Sequence, residues 1–202
     1  MNWYKRLAFC LLGWGSVGVV YSLTDALQAD GFVLTPSVID TALGFHPEAI
    51  WLYLSFFIVI PLAYLLAPAK RVKPLAHSMQ FAAIGSGVIF LIFPTTLVYP
   101  QYQPQSSLST QLLSQLIAVD SAQNLLPSLH VSLSILAGWA LWQPHKWGRN
   151  IIFSSWILLI CLSILLLKRH LFIDLVAGTA LATVVICSYA QKASQRRANA
   201  YE

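Results

Sequence analysis

The chain has 202 residues, 57% of them apolar and 9% charged, against ~45–50% and ~25% in soluble domains. A mean hydropathy of +0.68 excludes a soluble globule, and 7 Trp, 8 Tyr and 10 Phe exclude a disordered chain. The formal charge of +5 does not call for a nucleic-acid partner, because basic residues in a membrane protein mark its topology.

Six apolar stretches approach the ~17–25 residues that a bilayer-crossing helix needs. They lie at about 7–23, 49–67, 79–99, 127–143, 150–167 and 171–190. The expectation is an all-α, integral-membrane six-helix bundle forming one membrane domain over residues 1–202. Basic residues cluster between and beyond these runs: Lys5 and Arg6; Lys70, Arg71 and Lys73; Lys146 and Arg149; Lys192, Arg196 and Arg197. With six spans all four clusters fall on one side, which the positive-inside rule makes cytoplasmic, with both termini inside. The opposite loops 24–48 and 100–126 carry Asp25, Asp30, Asp40, Glu48 and Asp120 and no Lys or Arg. Lys5 and Arg6 before an apolar run, with Ala29 beyond it, are also the outline of a cleaved signal.

Two amphipathic stretches fall in the outer loops. One runs from Thr35 to Gly44, with Thr35 as N-cap, Pro36 at the first helical position and Gly44 as stop. The other runs from Leu112 to Val119; both suit interfacial helices. Cys10, Cys161 and Cys187 sit inside apolar runs and read as small core or lipid-facing residues, not as disulfide partners. Ala83 and Gly87 suit close helix packing.

Lys168 and Arg169 break the charge rule, since they occupy the outer turn between spans five and six. His170 follows, and Asp174 lies four residues on, which stacks the pair on one face of a helix entering the membrane. Ionisable residues at that depth point to function, although an interface anchor with snorkelling cations would also use them. The second focus is Asp120-x-x-x-Asn124-Leu-Leu-Pro127-Ser128-Leu129-His130, at the outer start of span four. Spans four and six begin on the same side, so two helix N-termini, His130, His170, Lys168, Arg169 and Ser128 can meet there. Helix N-termini and Arg are natural phosphate ligands, which makes this a phosphate site. Two His and an Asp could also hold zinc, but the adjacent cations oppose a divalent metal.

Pro127-Ser128-Leu129-His130 and Arg169-His170-x-x-x-Asp174 resemble the second and third motifs of the type 2 phosphatidic acid phosphatase superfamily. The Asp120 and Asn124 before the second motif, and Ala177-Gly178 after the third, resemble most its inositol phosphorylceramide synthase-like branch. The resemblance covers roughly residues 50–190. It implies a six-helix fold and metal-independent chemistry with no cofactor. His170 then resembles the nucleophile of a phosphohistidine intermediate, Asp174 the residue that orients it, and His130 the general acid on the leaving oxygen. Arg169 matches the family's phosphate-binding Arg loosely, being adjacent to the His. The first motif departs, with Tyr99 standing where the family has Arg and no Lys in span three.

These residues imply a multi-pass membrane lipid phosphatase that hydrolyses a lipid phosphate or diphosphate on the extracytoplasmic side. The partners expected are that lipid substrate and the surrounding membrane lipids. One alternative is a phosphotransferase that passes a phospho-headgroup to a lipid hydroxyl, toward which the missing cations lean. Another is a non-catalytic lipid-binding or transport relative. Paired histidines in acid and nucleophile roles imply a bell-shaped pH profile.

Overall fold

A computed structural model describes residues 1–103, 107–120 and 122–199, without the side chains of 192–194 and 196–198. The protein is all-helical. Its elements are α1 (Trp3–Leu27), β1 (Phe32–Val33), α2 (Val38–Ala42), a 3-10 turn (Pro47–Ala49), α3 (Ile50–Leu54), α4 (Phe56–Leu66), α5 (Ala69–Ile92), β2 (Thr95–Thr96), α6 (Leu108–Val119), α7 (Leu129–Leu141), α8 (Trp147–Leu166) and α9 (Phe172–Ala198).

Five segments are long and apolar enough to cross a membrane: Trp3–Leu27, Pro47–Leu66, Ala69–Ile92, Trp147–Leu166 and Phe172–Gln191. They make this a membrane protein. The remaining expected span is shorter than its sequence outline. Ser128 caps α7 by accepting from the Val131 N–H, and the helix stops before Trp142, leaving 13 residues. At 1.5 Å per residue that is ~20 Å, short of a ~30 Å hydrocarbon core. Helix α7 is nevertheless the centre of the bundle, packed against α4, α5, α8 and α9, with Leu133, Leu136, Ala137 and Ala140 buried. A helix walled in by protein need not match the bilayer.

The third span begins about ten residues earlier than the sequence pattern suggests, because Pro68 to Pro74 is helical rather than loop. Pro74 so near the helix start forfeits only the bond to the Lys70 carbonyl. The helix ends at Ile92 because Pro94 disfavours α geometry at Phe93. Near the chain's first loop, Ser37, not Thr35, caps α2 in a reciprocal box with Asp40. Helix α6 starts four residues before the amphipathic stretch, where Ser107 and Thr110 form a second capping box. β1 and β2 pair in parallel, Phe32 opposite Thr95, and so tie the ends of α1 and α5 together.

At one end of the bundle, arginines close helix C-termini whose last carbonyls would otherwise lack partners. Arg6 donates to the carbonyls of Tyr64 (2.8 Å), Leu65 (3.0 Å) and Ala67 (2.8 Å). Arg71 donates to those of Trp139 and Trp142. Arg149 bridges the carbonyls of Leu141 and Leu66. These arginines therefore lock the ends of α4 and α7. The Lys192, Arg196 and Arg197 side chains lie outside the described residues.

Gly87 and Gly178 are among the glycines that set the helix spacing. A Cβ on Gly87 would meet Val20 of α1 at 2.7 Å, in keeping with a packing role for that glycine. A Cβ on Gly178 would lie 2.6 Å from the Ser128 carbonyl oxygen and 3.1 Å from Val131, so α9 can touch the start of α7 only without a side chain there. Gly178→Ala should lower stability by about 1–3 kcal/mol, read as a drop in Tm in detergent. Gly15→Ala, facing open space, should leave Tm unchanged or raised.

Candidate functional site

The site lies at the joint N-termini of α7 and α9. Helix α8 ends in a Schellman turn, with the Arg169 N–H bonded to the Ile164 carbonyl and the Lys168 N–H to that of Leu165. This puts Lys168 at φ 54°, a left-handed position that glycine usually fills. Arg169 and His170 are thereby turned inward, 3% and 7% exposed.

Asp174 is fully buried and serves three neighbours. Its Oδ2 accepts from the Leu171 N–H at 2.9 Å, capping α9, and lies 3.3 Å from His170 Nδ1. Its carbonyl accepts from the Ser128 N–H at 3.1 Å, which joins the two helix starts. A carboxylate beside Nδ1 selects, for a neutral ring, the tautomer with its proton on that nitrogen. His130, on the first turn of α7, lies with its ring 6.0 Å from that of His170, and is flanked by Tyr53 and Phe56.

Arg169 donates to Asp120 Oδ2 at 2.5 Å and stacks over the Tyr99 ring, 4.5 Å to its centroid. Asp120 also accepts from the hydroxyls of Tyr21 at 2.7 Å and Tyr53 at 3.4 Å. Burial pushes the Asp120 carboxyl up, but Arg169 and the hydrogen bonds outweigh it and hold the group below its ordinary value. For Arg169, burial pulls the guanidinium down, and Asp120 with Tyr99 and Tyr53 together raise it above its ordinary value, so the pair stays ionised. Asn124, at φ 58°, donates to the Tyr21 carbonyl and accepts from Gln28, closing the loop over the cavity.

Tyr21, Tyr53, Asp120, Asn124, His130, Arg169 and His170 thus line one polar cavity of about 10 Å³, room for about one water. Beside it an apolar groove of about 610 Å³ runs between α1 and α4, from Leu7 to Tyr21, and ends on Asp120 and His130.

The residues singled out in the sequence therefore separate. His130, His170, Asp174 and Arg169 come together. Ser128 is spent on structure, its hydroxyl accepting from Val131 at 3.4 Å. Lys168 turns away from the cavity and donates to the carbonyls of Asp40 and Leu43, closing the end of α2. Asp40 in return accepts from the Phe172 N–H at 2.7 Å, so α2 and the start of α9 clasp each other. Tyr21, Tyr53 and Asp40 carried no sequence signal of this role. Among the described residues no group of three His, Cys, Asp or Glu is placed to hold a metal ion.

A carboxyl held below its ordinary value stabilises the fold above its unfolded pKa and loses that contribution as pH falls through the folded one. Asp120→Asn should therefore lower Tm by a constant amount between about pH 5 and pH 8, and by less below about pH 4. Thermal unfolding in detergent across that range checks it.

No curated protein matches the chain. The sequence model of the PAP2 superfamily matches residues 38–188, which spans α2 through most of α9 and every residue of the polar site except Tyr21. The chain belongs to the PAP2 superfamily.

Proposed function

We propose that the protein is a metal-independent lipid phosphatase working through a phosphohistidine on His170, within the inositol phosphorylceramide synthase-like branch of the superfamily. Membership suggests a phosphatase or phosphotransferase. The observation that carries the finer reading is the pairing of His130 and His170, 6.0 Å apart, above a buried Asp174.

In this reading Asp174 holds Nδ1–H, and the His170 Nε2 lone pair attacks phosphorus. The bond from phosphorus to the lipid oxygen breaks as His130 gives that oxygen a proton. Water then attacks the phosphohistidine, passing a proton back to His130 and releasing the phosphate. Arg169 and the positive ends of the α7 and α9 dipoles offset charge on the equatorial oxygens. With Lys168 bound to α2, Arg169 is the cation this mechanism uses.

The groove between α1 and α4 supports a lipid substrate that enters sideways. Leu7 and Tyr21 are 14 positions apart on α1, ~21 Å at 1.5 Å per residue, longer than half of a ~30 Å hydrocarbon core. The arginine-rich end of the bundle supports six crossings of one membrane domain, both termini cytoplasmic and the site on the outer face. Transfer to a lipid hydroxyl is the second reading, favoured by a cavity with room for about one water beside a large apolar groove.

The test is metal-free turnover of lipid phosphates by purified protein, following both free phosphate and new lipids. His170→Ala should lose at least about 10³-fold in kcat, and chelator should change nothing. Full turnover by that variant would sink the mechanism. The profile of kcat/KM should be bell-shaped between about pH 5 and pH 9. A curve that only rises or only levels off contradicts two histidines in opposite protonation roles.

A further inference from the structure

The phosphate-site reading leaves Asp120 unexplained. A site for an anion has a carboxylate fixed on its arginine. That carboxylate does not depend on Arg169 to stay where it is, because the hydroxyls of Tyr21, from α1, and Tyr53, from α3, also donate to it. A phosphate that takes up the Arg169 guanidinium therefore does not expel Asp120; it binds beside it. Asp120 also belongs to both the polar cavity and the inner end of the apolar groove, so a headgroup arriving along the groove passes it.

We infer that Asp120 is a specificity-determining residue that reads the charge of the phosphate, favouring an ester with one negative charge over one with two. This rests on the phosphate-site reading and favours its second form, transfer of a phospho-headgroup from a diester, over hydrolysis of a lipid monoester. Arg169 brings one positive charge and Asp120 one negative, and Lys168 is turned away to α2, so the second charge of a monoester meets a fixed like charge. A phosphodiester keeps the single charge that Arg169 can match and adds less repulsion from Asp120. The phosphorus–oxygen bond that breaks and the nitrogen–phosphorus bond that forms are the same for both esters, and His130 protonates the same lipid oxygen. The difference lies in binding and charge, not in the route.

The experiment compares two lipids that differ by one methyl group on the phosphate, dioctanoyl phosphatidic acid and dioctanoyl phosphatidylmethanol. At about pH 8 the first carries close to two charges and the second one. Equilibrium binding is measured on the full chain carrying His170→Ala, so that nothing turns over, with Asp120 present and with Asp120→Asn added. With Asp120 the methyl ester should bind at least about tenfold tighter, the effect of one charge no more than about 10 Å away at an effective dielectric of about 20. With Asp120→Asn the ratio should fall to within about twofold. Equal binding in the Asp120 chain overturns the inference without any second variant, and so does an unchanged ratio in Asp120→Asn. If Asp120→Asn does not fold, Asp120→Ser carries the same expectation. Release of dioctanoylglycerol by the chain with His170 intact is followed separately. A preserved binding ratio without turnover sinks the catalytic reading and leaves charge selection standing.

Discussion

Helices α7 and α9 begin side by side because Gly178 presents no Cβ to the Ser128 carbonyl. The Ser132 hydroxyl bonds the Gly178 carbonyl at 2.9 Å, and the Ser128 N–H bonds that of Asp174, so the seam is stitched at two levels. Everything at the site follows from it. His130 on one helix and His170 before the other come into register, and two positive helix ends point at the same place. The short length of α7 belongs to the same design. Its first turn carries His130 into the polar cavity lined by Asp120, Asn124, Arg169 and His170.

Charge is scarce in this chain, and each described charge near the site has a definite partner. Asp40 and Lys168 exchange bonds between α2 and the α8–α9 turn. Asp174 serves His170 and the α9 cap. Asp120 and Arg169 hold each other within a ring of tyrosines. The arginines of the opposite end close helix C-termini. In low dielectric an unpaired charge is costly, so this arrangement is both a folding constraint and the reason why the site is polar only where it is.

Much of the fold was legible because long apolar runs and their flanking basic residues are strong signals. The departures have local causes. Pro68 to Pro74 reads as a loop by composition, yet prolines near a helix start remove few bonds. Thr35-Pro36 resembles a helix start, but Ser37 wins because Asp40 completes its capping box. At the site, His170 and Asp174 read as one helix face, yet His170 precedes α9; the turn before the helix still brings its ring to the Asp174 carboxylate. Lys168 misled, because adjacency in sequence says nothing of direction once a left-handed residue turns the chain. Tyr21 and Tyr53 were invisible for a different reason. An aromatic residue inside an apolar run reads as packing, and only the folded bundle brings its hydroxyl to Asp120.

The central claim is that His170 is the nucleophile, and trapping its adduct tests this most directly. Purified protein given a lipid labelled at phosphorus, then quenched in alkali during turnover, should carry the label on a single peptide containing residue 170. The label should be absent from His170→Ala and accumulate when His130→Ala slows release. Label on another residue, or continued turnover with no label on His170, would contradict the account.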